Sequence, residues 1–354
     1  MSSAGSKIRV LIVDDSSVIR MLLNRFLAGD PEIEVVGTAP DPYVAREKLV
    51  ELRPDVMTLD IEMPKMDGVT FLGKVMENMP TRTVIISSLS TRGSEMALRA
   101  LENGAVDVIA KPAMDVTRGL EEMGREIVER VKIAAKSRLR PLRRSESRPV
   151  KSIAGTALAR TTHQVLAIAA STGGTEALKQ LVPRLPSDLP GTVIVQHMPP
   201  IFTRTFASHL QQLCRFEVKE AEEGDRVQPG RVLLAPGNFH MELVRNGAFY
   251  HVRLHQEALI HGVRPAADYL MKSVARHAGA NAIGVVLTGM GRDGALGLLE
   301  MKNAGSFNIA QDEETCAVYG MPKAAADLNA VHTVLPLERI AEEIVAKFRS
   351  RESA

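Results

Sequence analysis

Short apolar runs alternate with amphipathic stretches over residues 8–135. The runs have the length of strands, and the stretches repeat their apolar positions every three to four residues, as helices do. The predicted strands are Ile8–Val13, Glu34–Ala39, Val56–Leu59, Thr83–Ser87 and Val106–Ala110. The predicted helices are Ser17–Ala28, Asp41–Glu51, Gly68–Met76, Met96–Asn103 and Val116–Ala135. This alternation predicts an α/β fold with a five-stranded, parallel, doubly wound sheet.

The same alternation returns after Gln164 and continues to about residue 350. The predicted strands are Val165–Ala170, Thr192–Gln196, Phe216–Glu220, Arg231–Ala235, Ile283–Thr288 and Phe307–Ala310, with a hairpin of Phe239–Arg245 and Phe249–Leu254. The predicted helices are Thr175–Leu185, Ile201–Cys214, Ala266–Ala278, Ala295–Asn303 and Ile340–Arg349. We therefore expect a second doubly wound α/β domain, to which the hairpin is an addition.

Residues 136–161 show no apolar period and separate the two patterns. They contain Arg138, Arg140, Arg143, Arg144 and Arg148 among Ser, Pro and Ala. This composition predicts a linker, although a basic tract can also bind nucleic acid or anionic lipid. We accordingly expect domains at residues 7–125 and 161–350, joined at 126–160 by the end of a helix and a basic linker.

Composition narrows the class of protein. The chain is 45% hydrophobic with a net charge of +2, and its basic excess lies in the linker, which argues against nucleic acid as a partner. Cys214 and Cys316 have no metal-ligand spacing, so reduced thiols of a cytoplasmic protein are expected. The N-terminus has no apolar signal core, and no run approaches the roughly 18 apolar residues of a membrane span.

Polar residues follow the strands of the first domain. Asp14, Asp15, Asp60, Ser87 and Lys111 all come at predicted carboxyl ends, which gather along one edge of a parallel sheet. Three neighbouring carboxylates repel one another and raise their pKa values unless a cation intervenes. A hard divalent cation between the carboxylates resolves this conflict, and Mg²⁺ is the ion that we expect. The alternative, strand-end caps and surface ion pairs, suits one aspartate better than five matching positions.

This layout resembles the receiver domain of two-component response regulators, a flavodoxin-like fold, over about residues 7–125. The matching motifs are Asp14-Asp15, Asp60 before Met63-Pro64 and Asp67-Gly68, Ser87, and Lys111-Pro112. The resemblance implies that Asp60 accepts a phosphoryl group from a histidine kinase, while Asp14 and Asp15 help to hold Mg²⁺. It also implies that Ser87 and Lys111 respond to the phosphoryl group, with Ser88 as an alternative switch hydroxyl.

A strand of the second domain ends in small residues, Ala170-Ser-Thr-Gly-Gly174. Small residues let the backbone turn sharply into a helix. Three interpretations fit this stretch by itself. Ser171 is a nucleophile on an elbow, the loop cradles a phosphate at a helix N-terminus, or the turn carries no chemistry.

His197 and Asp293 follow two other predicted strands, so both can meet Ser171 at one edge. A serine hydroxyl is a poor nucleophile unless an imidazole takes its proton, and a carboxylate orients that imidazole. Asp293 considered singly also fits a cap for the helix at Ala295. The other histidines of this domain, including His240, are expected to be structural or exposed, although His240 follows a glycine-containing loop and fits a place in the cleft.

Five spaced motifs of the second domain resemble the chemotaxis protein-glutamate methylesterases (CheB). They are Ala170-Ser-Thr-Gly-Gly174, Gln196-His-Met-Pro-Pro200, Thr288-Gly-Met-Gly-Arg-Asp-Gly294, Ala310-Gln-Asp-Glu313 and Tyr319-Gly-Met-Pro322. The resemblance implies that Ser171, His197 and Asp293 are nucleophile, base and orienting acid. It places an oxyanion contact at the backbone N–H of Met290, to which we add Thr172 because its N–H follows the nucleophile.

The same resemblance implies a cytoplasmic methylesterase domain that hydrolyses glutamate γ-methyl esters on methyl-accepting chemotaxis receptors and deamidates receptor glutamines. It implies no cofactor for ester hydrolysis and a position peripheral to membrane receptor arrays. Arg264 is a candidate contact to an acidic substrate, with an ordinary salt bridge as its alternative. Phosphorylation of Asp60 is expected to uncover Ser171. The rival interpretations are a nucleotide-binding output domain and a DNA-binding regulator.

Overall fold

The structure, a computed structural model, describes residues 6–111, 120–139 and 163–352. The chain divides into two compact units, Met1–Arg144 and Ser145–Ala354. Both are α/β units, as expected. Most of the predicted linker, from residue 140 onward, lies outside the described residues, as does the predicted start of the helix at Val116. Within the described residues, no helix is long and apolar enough to cross a bilayer.

The first unit has five parallel strands with helices between them. Its strands are β1 (Ile8–Val13), β2 (Ile33–Ala39), β3 (Val56–Asp60), β4 (Arg82–Ser87) and β5 (Asp107–Ala110). Its helices are α1 (Ser17–Ala28), α2 (Pro42–Leu52), α3 (Gly68–Asn78), α4 (Thr91–Glu102) and α5 (Leu120–Lys136). The strand order is β2-β1-β3-β4-β5. The predicted five-stranded parallel sheet is therefore confirmed.

Most bounds of the described elements in this unit lie within two residues of the prediction, but the start of one helix differs by five residues. Helix α4 begins at Thr91 and not at Met96, because the Ser90 hydroxyl accepts a hydrogen bond from the Gly93 N–H at 2.9 Å and caps the helix earlier. Helix α5 continues past residue 125, the predicted end of the domain. Its residues Ile127 and Val131 are buried in the core of the first unit, so that core includes the whole described helix.

The second unit contains a seven-stranded parallel sheet and a separate three-stranded antiparallel sheet. Its strands are β6 (Val165–Ala170), β7 (Gly191–Gln196), β8 (Glu217–Glu220), β9 (Arg226–Val227), β10 (Arg231–Leu234), β11 (His240–Asn246), β12 (Phe249–His255), β13 (Ala282–Val286), β14 (Phe307–Gln311) and β15 (Thr333–Leu335). Its helices are α6 (Gly174–Leu181), α7 (Phe202–Leu213), α8 (Ala267–His277), α9 (Ala295–Asn303), α10 (Met321–Asp327) and α11 (Leu337–Glu352), with 3₁₀ turns at Val182–Arg184 and Gly279–Asn281.

The predicted hairpin is present as β11 and β12, and β9 pairs with it to complete the small sheet. The prediction missed β9, β15 and α10. Strands of two or three residues are too short to show a period, and α10 has only seven residues with a proline in its first turn. The predicted strand Ile283–Thr288 ends two residues earlier, because Thr288 joins a loop through its side chain.

In each parallel sheet the strand order reverses its direction at the first strand of the unit. In the first unit the order changes direction between β1 and β3, and in the large sheet it changes between β6 and β13. Connections leave the sheet on opposite sides at such a point and open a crevice at the carboxyl ends. Asp14 and Asp60 lie at the ends of β1 and β3, and Ser171 and Asp293 follow β6 and β13.

Candidate active site and phosphorylation site

Ser171 directly follows β6 and is 5% exposed. Its N–H donates to the carbonyl of Thr288 at 3.0 Å, which ties it to the loop after β13. Its carbonyl accepts hydrogen bonds from the Gly174 N–H at 2.7 Å and from Nε2 of Gln196 at 2.9 Å. The backbone of Ser171 is therefore held from both neighbouring strands.

Three glycines around Ser171 cannot be replaced by a larger residue without a steric clash or backbone strain. Gly173 adopts a φ of 76°, which side chains rarely tolerate. A Cβ on Gly174 would collide with Oε1 of Gln196, and a Cβ on Gly289 would lie 2.7 Å from the Cβ of Ser171. The small residues at this turn thus let strand, helix and loop approach the serine closely.

His197 follows β7, the strand beside β6. The Gln196 and Ala170 positions are paired in the sheet, and the His197 N–H donates to the carbonyl of Ala170 at 3.2 Å. Ser171 and His197 therefore leave adjacent strands at the same level, about 5 Å apart in the sheet direction. His197 is 8% exposed, and its Nε2 lies 2.8 Å from Oδ2 of Asp293.

Asp293 is surrounded by hydrogen-bond donors. Besides His197, its carboxylate accepts the N–H groups of Ala267 at 2.6 Å and Asp268 at 2.9 Å, at the N-terminus of α8. Asp293 thus caps α8, whereas the sequence suggested the helix at Ala295. Burial by itself would raise the pKa of Asp293, but the hydrogen bond and charge of His197 and the two amides outweigh it and hold the pKa below its usual value.

The glycine-rich loop after β13 contributes Met290. Gly289 accepts hydrogen bonds from Gly320 and Met321, which fixes the turn before Met290. Met290 is half-buried, and its N–H has no hydrogen-bond partner among the described residues. Thr172 is buried, and its carbonyl accepts from the Thr288 hydroxyl at 3.0 Å.

Arg264 is tied to neighbouring loops. Its Nε and Nη2 donate to Oδ1 of Asn238 at 3.1 and 2.6 Å, and its Nη1 donates to the carbonyls of Gln256 and Glu257. The peptide bond to Pro265 is cis. The structure thus gives Arg264 a loop-holding position instead of the salt bridge considered as its alternative, and contact with a substrate stays a prediction.

In the first unit, Asp14 and Asp60 lie at the ends of neighbouring strands and are almost fully buried. Nζ of Lys111 lies 2.7 Å from Oδ2 of Asp60 and 3.3 Å from Oδ2 of Asp14. Asp15 is exposed, and one oxygen from each of the three aspartates lies within 4.8 Å of the others. The predicted cluster of carboxylates therefore exists.

Burial raises the pKa of Asp14, and the charge of Asp60 adds to this, although Lys111 and the Ser16 N–H oppose it. Burial likewise raises the pKa of Asp60 against the opposing effect of Lys111. Apart from the Lys111 ammonium, neither Oδ2 atom has a polar partner among the described residues. Closely spaced carboxylate oxygens of this kind are the ligands that Mg²⁺ prefers, so the residues present fit the ion.

The two candidate switch hydroxyls differ in their surroundings. Ser87 is fully buried, and its Oγ donates to the carbonyl of Gly93 at 3.2 Å. Ser88 is half-buried and donates to Oε2 of Glu62 at 2.9 Å. A cavity of about 410 Å³ opens beside β3 and is lined by Asp15, Ile61, Glu62, Met63, Pro64, Asp67, Arg92 and Met96.

Sequence reasoning missed Gln196. Its Nε2 donates to the carbonyls of Ser171 and, at 3.3 Å, His197, so one amide spans the two residues. The signal in the sequence was its place directly before His197 at the end of a strand. The capping of α8 by Asp293 had no comparable signal, because the two segments are 25 residues apart.

Comparisons with known proteins agree with this architecture. The CheB methylesterase family model matches residues 166–344, and the response regulator receiver domain model matches residues 10–120. A protein-glutamate methylesterase/protein-glutamine glutaminase of Bdellovibrio bacteriovorus is 60% identical over 353 residues, which cover 99% of this chain and 100% of the relative. A relative from Pseudomonas aeruginosa with the same name, numbered 2, is 51% identical over 98% of each chain.

A solved structure matches the second unit. The crystal structure of the Thermotoga maritima CheB methylesterase catalytic domain superposes with a TM-score of 0.51 and 40% sequence identity. The match covers 52% of this chain and 97% of the Thermotoga chain. The fold assigned to the second unit from its alternating pattern therefore agrees with an experimentally determined fold.

Proposed function

Because the chain belongs to the CheB methylesterase family and carries a response regulator receiver domain, we propose that it hydrolyses glutamate γ-methyl esters of chemoreceptors with Ser171 as the nucleophile. The chain is a hydrolase of the protein-glutamate methylesterase/protein-glutamine glutaminase class. The comparisons support neither a nucleotide-binding nor a DNA-binding output domain.

One observation carries the assignment of the residues. His197 and Asp293 form a buried pair, with 2.8 Å between Nε2 and Oδ2. His197 follows the strand that is paired with the strand before Ser171. A carboxylate on one ring nitrogen leaves the other nitrogen to accept a proton. Since Asp293 holds Nε2–H, the nitrogen that accepts the proton of Ser171 is Nδ1.

The reaction is an acyl transfer in two steps. The Oγ of Ser171 attacks the ester carbonyl while Nδ1 of His197 takes the hydroxyl proton. The imidazolium then gives this proton to the departing methoxy group. Methanol departs, and an acyl-enzyme on Ser171 remains. A water molecule, deprotonated by the same Nδ1, then attacks the acyl carbon. The bond between that carbon and Oγ breaks, the imidazolium returns its proton to Oγ of Ser171, and the glutamate side chain leaves as a carboxylate.

Backbone amides stabilise the oxyanion of each tetrahedral intermediate in this proposal. The Met290 N–H is unpartnered among the described residues, and the Thr172 N–H directly follows the nucleophile. Each well-placed donor is worth about 3 kcal/mol of transition-state stabilisation. Deamidation of a glutamine uses the same groups, with ammonia leaving in place of methanol.

The receiver domain implies a histidine kinase as phosphodonor and Mg²⁺-dependent phosphorylation. In our proposal Asp60 accepts the phosphoryl group, and Asp14, Asp15 and Asp60 hold Mg²⁺. When bound, this ion neutralises the carboxylates and the phosphoryl oxygens. Lys111 contacts the phosphoryl group, the hydroxyl of Ser87 responds to it, and hydrolysis increases. The enzyme then acts in the cytoplasm, at the membrane receptor arrays.

Methanol release from methylated chemoreceptor tests this function. Ser171→Ala removes the attacking oxygen, and we expect a decrease of about a million-fold in kcat, as for other serine hydrolases. Ser187→Ala is the matched control, because Ser187 is exposed and precedes β7, at the opposite edge of the sheet. Its activity should equal that of the wild type. An active Ser171→Ala protein would rule out the serine mechanism.

A further inference from the structure

His240, the first residue of β11, is fully buried and does not line an open cleft. Its Nδ1 accepts a hydrogen bond from the Ala266 N–H at 3.1 Å, and its Nε2 lies 3.1 Å from the carbonyl of Ala258. Because one nitrogen accepts and the other donates, the ring is neutral with its hydrogen on Nε2. The ring therefore joins the two ends of the loop of residues 256–266.

The Ala266 end of this loop leads directly to the proposed active site. Ala266 precedes α8, and no side chain caps that helix from this position. The next two amides, of Ala267 and Asp268, donate to the carboxylate of Asp293, which in turn binds His197. The Nδ1 of His240 is thus one peptide unit away from the amides that orient Asp293.

We propose that His240 is a positioning residue for the esterase reaction: by holding the Ala266 N–H with Nδ1, it fixes the first turn of α8 and thereby the direction of the Asp293 carboxylate. This inference rests on the proposed function of Asp293. Displacing a catalytic group by about 1 Å costs roughly 100-fold in rate even when the change is distant from the chemistry.

The surroundings of His240 keep it neutral. Its ring centroid lies 4.3 Å from that of Tyr269 and 5.4 Å from that of His255. Burial lowers the pKa of His240, and the charges of His255 and Arg264 lower it further, against the Ala258 carbonyl and Asp293, which raise it. Loss of the acceptor at Nδ1 is therefore not expected near neutral pH.

Two substitutions separate the two hydrogen bonds of His240. In His240→Asn, Oδ1 occupies the place of Nδ1 and can accept from Ala266, whereas the donor to Ala258 is lost. In His240→Gln, Nε2 can donate to Ala258, whereas the acceptor for Ala266 is lost. We expect His240→Gln to lower kcat by about 10- to 100-fold with KM nearly unchanged, and His240→Asn to stay within about threefold of the wild type.

The midpoint of thermal unfolding is measured for both full-length variants alongside kcat and KM. A role in folding alone would lower the midpoint without separating the kcat values of Asn and Gln, and that result would overturn the proposal. Equal kcat values for His240→Gln and the wild type would also overturn it. If Ser171→Ala stays active in the same assay, the proposed function fails instead, so the two failures are distinguishable.

Discussion

The carboxyl ends of the two parallel sheets make an instructive comparison. Both carry buried aspartates at a switch in winding direction. In the first unit Asp14 and Asp60 lie near each other, and burial raises the pKa of each. In the second unit Asp293 is also buried, with only 2% of its surface exposed, yet its pKa is lowered.

The hydrogen-bond donors around each carboxylate explain the difference in the direction of the pKa shifts. Asp293 accepts from two amides at the N-terminus of α8 and from His197, so its charge is compensated within the protein. Asp14 and Asp60 share one ammonium group, from Lys111, and their Oδ2 atoms have no other polar partner among the described residues. The same edge of the same kind of fold thus favours a fixed orienting anion in one unit and a site for a cation and a phosphoryl group in the other.

The largest effect on activity is expected from a substitution of Asp293, the carboxylate whose charge is compensated within the protein. In Asp293→Asn the amide group has one acceptor oxygen, so it cannot accept from Ala267, Asp268 and His197 together. We expect kcat for methanol release to decrease about 10⁴-fold, as when a serine protease loses its orienting carboxylate. Asp327→Asn removes an exposed i,i+4 ion pair with Lys323 and should leave kcat within about twofold. A comparable loss in both variants would contradict the role of Asp293.

The next effect concerns regulation. In Asp60→Asn the proposed phosphoryl acceptor is absent, so an acyl phosphate with Mg²⁺ should no longer raise methanol release, while the basal rate remains. The control is Asp55→Asn, because Asp55 precedes the same strand at its other end and accepts from the Arg9 N–H. Retained stimulation in Asp60→Asn, or its loss in Asp55→Asn, would refute the assignment of Asp60.

The smallest effect is on stability. A carboxyl group whose pKa is raised by folding binds protons more tightly in the native state, so stability falls as pH rises through that pKa. Asp14→Asn should therefore raise the unfolding temperature of the first unit at neutral pH without Mg²⁺, by a few degrees per kcal/mol. It should also abolish the stabilisation that Mg²⁺ gives the wild type. Calorimetry of the full chain measures both.

Asp30→Asn is the contrasting variant for this measurement. Burial would raise the pKa of Asp30, but hydrogen bonds from Lys132 and the Glu32 N–H, with the charge of Lys132, lower it. Its loss should decrease stability slightly and leave the response to Mg²⁺ intact. If Asp14→Asn destabilises the unit without Mg²⁺, the repulsion inferred between Asp14 and Asp60 is wrong.

Most of the fold was predictable because its strands are continuous apolar runs between amphipathic helices. Strand β1 and helices α1 and α9 have the predicted bounds. Errors fall where a side chain, not a period, sets the boundary, as with the Ser90 cap of α4. They also fall on elements too short for a period, such as β9 and β15.

The sequence by itself determined that Ser171, His197 and Asp293 follow three strands, because strand ends are read from local patterning and parallel sheets gather them at one edge. Only the tertiary structure decided which atoms meet. Hydrogen bonds between distant segments depend on how helices pack on the sheet, which local periodicity does not encode. The choice of Nε2 for Asp293, the capping of α8 by that carboxylate, and the link from His240 to Ala266 are all of this kind.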